Sequence, residues 1–332
     1  MRWLRLVLLT LGVGLLVGLV VGFDPAAVFA ALGQLSWRFI VIALFPAIPV
    51  VILDTLGWRY AFLRDRVPFL TLLRTRLVGE AFNLVTPTAA LGGEGVKAWL
   101  LRDRLPLDES VPSVIIAKTT ITLAQGVFLL LGIALASIGF GHSPLLLGMQ
   151  WLLGLEVLAL VAFIVVQTRG VVVWTVGLLG RMGVRAEGAS HTAAQVDRTL
   201  HTFYRHTPRR LTLSVAFHLA AWLLGAVEAY LILWFIGVPV SLLTATVIEA
   251  FGTGVRFATF LVPASLGVQE GGFAVTFVAL GLSAADGVAF GLVRRMRELV
   301  WIAVGLAIFA ASRRPVVAAS STSDAASPSE SD

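Results

Sequence analysis

No cysteine occurs in the 332 residues, and only 13% of positions are charged, where a soluble domain carries about 25%. The first absence excludes disulfides, thiol nucleophiles and cysteine-ligated metals. Histidine is sparse too, and His191, His201 and His206 have no carboxylates at metal-ligand spacing, so they read as solvated side chains and no metal is expected. No nucleophile–base constellation and no phosphate-binding glycine loop is present, which argues against an enzyme and against a cofactor.

What the chain has in excess is apolar surface. Hydrophobic residues make up 58% of it and the mean hydropathy is +0.92. Those values describe an all-α, polytopic membrane protein. The net charge of +6 does not indicate nucleic acid, because the basic residues fall between apolar runs and report topology instead.

The runs predict about six transmembrane helices. Leu6 to Val21, preceded by Arg2 and Arg5, is read as a retained helix over the competing signal-peptide reading, because Gly14, Gly18 and Gly22 form a stripe for close helix packing. Trp37–Leu56, Val111–Phe140, Leu145–Gln167, Leu211–Ile236 and Gly287–Ala311 follow. Between the second span and the next apolar stretch, Arg59, Arg64, Arg66, Arg74 and Arg76 interleave with aromatics. That predicts either a segment lying at the cytoplasmic membrane surface or an ordinary basic cytoplasmic loop.

A second basic stretch runs from residue 168 to 210, whereas the loops at His142 and Gly237–Leu242 carry no Lys or Arg. All basic loops then share one side, with both termini cytoplasmic. The membrane domain is placed at 1–312, with halves of about 1–140 and 145–312. The small, Ser-rich tail at 313–332 is expected to be disordered.

Two apolar stretches do not fit a plain span. In Ala81–Arg104, Pro87 precedes Leu91, Gly92, Gly93 and Glu94; in Phe257–Phe277, Pro263 precedes Leu266, Gly267 and Glu270. The proline-to-glutamate interval is seven residues in both. Adding 176 to the positions of the first set carries Lys118 onto Arg294. With the topology above, the two stretches become re-entrant hairpins entering from opposite faces, as in an inverted repeat.

Irregular backbone at membrane depth is tolerated where it is buried in protein or lines a wet cavity. The helices resuming after Gly92, Gly93 and Gly267 present N-termini suited to an anion such as phosphate. Lys118 and Arg294 are the cations that either pair with Glu94 and Glu270 or hold the phosphate, and Asn83 joins them as a polar contact. Glu94 and Glu270, with Pro87 and Pro263 shaping the breaks, either gate the route or cap their own helices. Asp54, Glu156, His218, Glu228, Glu249 and Arg256 are further polar groups in or near spans.

The stretches VGEAFNLVTPTAALGGEGVKAWLLRDR, IIAKTTITLAQ and VPASLGVQEGG, with the later Arg294, resemble the lysylphosphatidylglycerol synthase transmembrane-region family, also called flippase-like, including its hopanoid-associated branch. The resemblance covers roughly Leu4 to Ala311. It implies a protein of the bacterial inner membrane concerned with moving or modifying lipids. In the family's two-domain synthases a separate soluble domain transfers lysine. The 21 residues after Ala311 are too few for one, so that reaction is not carried over. The family's acid–arginine pair is replaced here by Ala117-Lys118, which keeps the cation alone.

Two functional readings follow. One is translocation of an anionic or polar-headgroup lipid. The other is a non-transporting membrane subunit that docks a lipid-modifying enzyme on its basic cytoplasmic face. Neither fixes the lipid or an oligomeric state.

Overall fold

The computed structural model describes residues 26, 30, 33, 35–85, 92–140, 144–168, 189–260, 262 and 265–312. The predicted first span, Pro87, Pro263 and the C-terminal tail lie outside them. Every element among the described residues is helical: α1 Arg38–Leu44, α2 Ala47–Tyr60, α3 Phe69–Val85, α4 Gly92–Leu101, α5 Leu107–Phe140, α6 Pro144–Thr168, α7 Ala189–His206, α8 Pro208–Phe235, α9 Leu242–Ala258, α10 Val268–Ala279 and α11 Ala284–Ser312.

Four stretches are long and apolar enough to cross a membrane: Arg38–Tyr60, which joins α1 to α2, Leu107–Gly139, Pro144–Gln167 and Pro208–Phe235. Helix α6 shows the physical reason most plainly. Trp151, Leu155, Val157, Leu158 and Val161 all point outward and exposed, a surface suited to lipid and unfavourable in water. Helix α11 has the length for a span, with 29 residues or about 44 Å. Arg294, Arg295, Arg297 and Glu298 keep it from being an apolar one.

Helix α8 is the spine, packing on α2, α5 and α9. It starts with Pro208 in its first turn, where the missing N–H costs nothing, and ends at Gly237, whose φ of 82° lets the Val238 N–H reach back to the Leu233 carbonyl at 2.9 Å. Helix α9 follows at once, its N-terminus capped by Ser241, whose hydroxyl accepts from the Thr244 N–H.

Both broken stretches fold as helix pairs. In the first, α3 and α4 lie antiparallel, since Asn83 meets Gly93 while Glu80 meets Lys97. In the second, α9 and α10 do the same: a Cβ on Gly272 would touch Val255, and one on Gly252 would strike the Phe273 ring at 2.5 Å.

The pairs start from opposite ends of α8. The end of α2 that leads into α3 is fixed at the N-terminal end of α8, where Ser214 donates to the Gly57 carbonyl and Arg210 to that of Arg59. Helix α9 begins seven residues beyond the C-terminal end of α8.

The first pair is longer than the break in the sequence suggested. Its leading arm begins at Phe69, so Arg74 and Arg76 belong to a hairpin helix and not to a surface segment; Arg76 is buried. Apolar packing closes each end separately. Trp58, Leu72, Leu101, Ile116 and Phe203 form one core, and Ile232, Phe273, Phe277, Val288 and Phe290 another. The halves also meet where Gly305 of α11 lies against the Leu77 carbonyl and Ala81 of α3.

Candidate functional site

Each hairpin carries charges into the bundle, and nearly all of them are met by opposite charges. At the first, Arg76 donates to Asp54 of α2 at 2.8 Å, and the other Asp54 oxygen lies 2.8 Å from Nδ1 of His218 on α8. One turn further along α3, Glu80 receives Lys97 of α4 at 2.8 Å. Lys97 also reaches Glu94 at 3.2 Å, and its ammonium stands 6.0 Å from the Trp58 ring.

Two glycines make this crossing close. A Cβ on Gly79 would overlap the Lys97 stem at 2.4 Å, and one on Gly93 would lie 1.9 Å from the Gly79 carbonyl. Asn83 bridges the hairpin, accepting from the Gly93 N–H at 2.8 Å and donating to Glu94 at 3.2 Å.

The second cluster is built on five consecutive residues of α11. Arg294 engages both carboxylate oxygens of Glu249 on α9, with Nη2 to Oε1 at 3.0 Å. Arg295 binds Glu270 of α10 at 3.0 Å and Arg297 binds Glu228 of α8 at 3.0 Å. Glu298 closes the set, accepting from Arg256 of α9 at 2.6 Å and from Arg295 at 2.8 Å. Four arginines thus face four carboxylates, and one and a half turns of α11 tie three other helices together. The Arg294 guanidinium also lies against the Phe273 and Phe290 rings, 5.9 and 5.7 Å from their centroids.

Of the residues singled out in the sequence, Asn83, Gly92, Gly93 and Glu94 come together at the start of α4, and Gly267 and Glu270 at the start of α10. The two glutamates part company in role. One oxygen of Glu270 accepts from the Gly267 N–H at 2.8 Å, capping its own helix at a glycine with φ of 73°, while the other takes Arg295. Glu94 instead bonds Asn83 and Lys97.

The trailing cations do not pair with these glutamates. Arg294 holds Glu249, and Lys118 lies exposed on α5 with no partner among the described residues, close enough for its charge to act on Glu80. His201 and His206 are exposed. Arg76, Glu80, Lys97 and Arg295 were missed from sequence. The Glu94–Lys97 spacing of three was the available signal for one of them.

Isolated charge at the bilayer centre costs at least about 2.5 kcal/mol even on the lenient insertion scale, and in folded membrane proteins such charges pair or line a polar route. The arrangement here meets that requirement twice, once at each hairpin. A family model for the lysylphosphatidylglycerol synthase TM region matches residues 2–306.

The chain belongs to that family. The match spans both hairpins and both charge clusters, and the lysylphosphatidylglycerol synthase TM region is a membrane-associated family involved in lipid handling. No curated protein and no solved structure matches the chain significantly.

Proposed function

We propose that this protein moves a lipid with a phosphate-bearing polar headgroup across the membrane, between the two opposed hairpins. The observation that carries the reading is the pair of buried charge clusters, one on each hairpin, started from opposite ends of α8. A headgroup passing between them meets cations at both ends of its path. Arginine already holding a carboxylate in a two-pronged pair can exchange it for a phosphate of the same geometry. Lys118, exposed and without a carboxylate of its own among the described residues, is the natural first contact, and Arg294 the second.

The proposal places the protein in a bacterial inner membrane with both termini cytoplasmic, assigns it no catalytic reaction, and takes anionic or polar-headgroup lipids as its partners. Asn83, Gly92, Gly93 and Gly267 line the hairpin tips, and Glu94 and Glu270 hold Lys97 and Arg295 beside them.

A second reading, a subunit docking a lipid-modifying enzyme, draws on exposed arginines gathered at the α8 N-terminal end: Arg64, Arg102, Arg104, Arg198, Arg205 and Arg209. Headgroup accessibility in reconstituted vesicles separates the two. Translocation requires protein-dependent movement that Lys118 and Arg294 control. Docking leaves lipid sidedness unchanged and depends on Arg198, Arg205 and their neighbours.

A further inference from the structure

Glu156 belongs to neither charge cluster. It lies in the middle of α6, 1% exposed, and neither carboxylate oxygen has a hydrogen-bond partner among the described residues. Its neighbour across the helix interface is Gly126 of α5, where an added Cβ would sit 3.9 Å from the carboxylate. An ionised carboxylate so placed is very costly, and the ordinary outcome is that it holds a proton.

The same face of α6 leads elsewhere. Eleven residues on, or about three turns and about 16 Å, Gln167 is buried. Gln167 donates to the Thr119 hydroxyl of α5 at 3.1 Å and accepts from the Tyr204 hydroxyl of α7 at 2.9 Å. Tyr204 and Gln167 line an open pocket of about 610 Å³ with Arg198, His201 and Arg205. On α5, Thr119 pairs with Gln167 and Gly126 adjoins Glu156, seven residues apart on α5 against eleven on α6, and Thr122 lies between them in the chain.

We propose that Glu156 is a proton-binding site within the membrane, loaded and emptied through the Thr119–Gln167–Tyr204 network and the pocket beyond it. The charged groups on the helices packed against α6 are accounted for elsewhere. On α9, Glu249 and Arg256 are held by Arg294 and Glu298; on α10, Glu270 is held by Arg295. On α7, Asp197, Arg198, His201 and Arg205 line the pocket end of the path. On α5, Lys118 stands one residue from Thr119, with Asp108 and Glu109 at the helix start. None of them bonds Glu156. Within the translocation reading, on which this last step rests, a proton at Glu156 would couple lipid movement to the pH gradient.

The test uses the full chain in vesicles and the apolar carbodiimide N,N′-dicyclohexylcarbodiimide, which reacts with protonated carboxyl groups in membranes, with the modified residue located by mass spectrometry. Labelling at Glu156 is expected, falling about tenfold per pH unit above its midpoint, and absent in Glu156→Gln. Gln167→Leu, which removes the polar link, should slow the response to a pH jump. No label at Glu156, or a label that ignores pH, overturns the proposal. A wild-type protein that labels in this way but moves no lipid contradicts the translocation reading and leaves the proton site standing. If lipid moves and Glu156→Gln still responds to an imposed pH gradient, the coupling is refuted.

Discussion

Arg294 of α11 and Glu249 of α9 form a two-pronged ion pair in which the glutamate is 1% exposed and the arginine 12%. The pair joins the second hairpin to the last long helix at the point where both carry charge into the bundle. Removing one member strands the other, which costs about 3–5 kcal/mol for a buried pair, whereas replacing both with apolar residues is close to neutral. Glu249→Leu is therefore expected to lower the melting temperature in detergent sharply. Adding Arg294→Leu should restore most of it, and an additive second loss would show that the pair is not coupled.

Glu270 has two partners that two substitutions separate. Glu270→Gln keeps an oxygen that can accept from the Gly267 N–H but gives up the charge facing Arg295. Glu270→Ala loses both. The alanine variant should be the less stable by about 1 kcal/mol, the usual worth of a helix cap, read from denaturant or thermal unfolding. Equal losses would mean that the cap contributes nothing.

The first hairpin depends on close packing at α2 and α8. A Cβ at Gly57 would lie 2.6 Å from the His218 ring, displacing it from Asp54. Gly57→Ala should cost about 1–3 kcal/mol, the usual penalty for overpacking. In a His218→Ala background the same change should cost much less, because the space is then free. A cost that persists there would place the strain elsewhere.

Much of this was legible in the sequence because membrane spans announce themselves by length and polarity. Trp37–Leu56, Val111–Phe140, Leu145–Gln167 and Leu211–Ile236 all correspond to helices long and apolar enough to cross. Paired hairpins could be read because proline and glycine mark breaks that a span avoids. The partners of the charges could not be read. Arg76 looks like a loop arginine because four others precede it, yet Asp54 sits 22 residues back on a helix that returns alongside. Arg295 is hidden between Arg294 and Arg297, and only the packing of α10 against α11 shows that Glu270 is its partner. Sequence spacing identifies i to i+4 neighbours on one helix; contacts between helices depend on rotation about each axis, which an almost uniformly apolar chain leaves unmarked.

Lys118 offers the most direct test, because it is exposed on α5 and holds no carboxylate among the described residues, so its loss should leave the fold intact. A charge-assisted contact to phosphate is worth about 1.5–3 kcal/mol, and so about tenfold or more in rate. The measurement is headgroup accessibility of labelled anionic phospholipid in vesicles containing the wild-type protein, Lys118→Gln, or no protein. The account predicts movement with the wild type and at least about a tenfold reduction in Lys118→Gln at an unchanged melting temperature. Wild-type vesicles that move no more lipid than empty ones, or a Lys118→Gln protein that moves lipid at the wild-type rate, would contradict it.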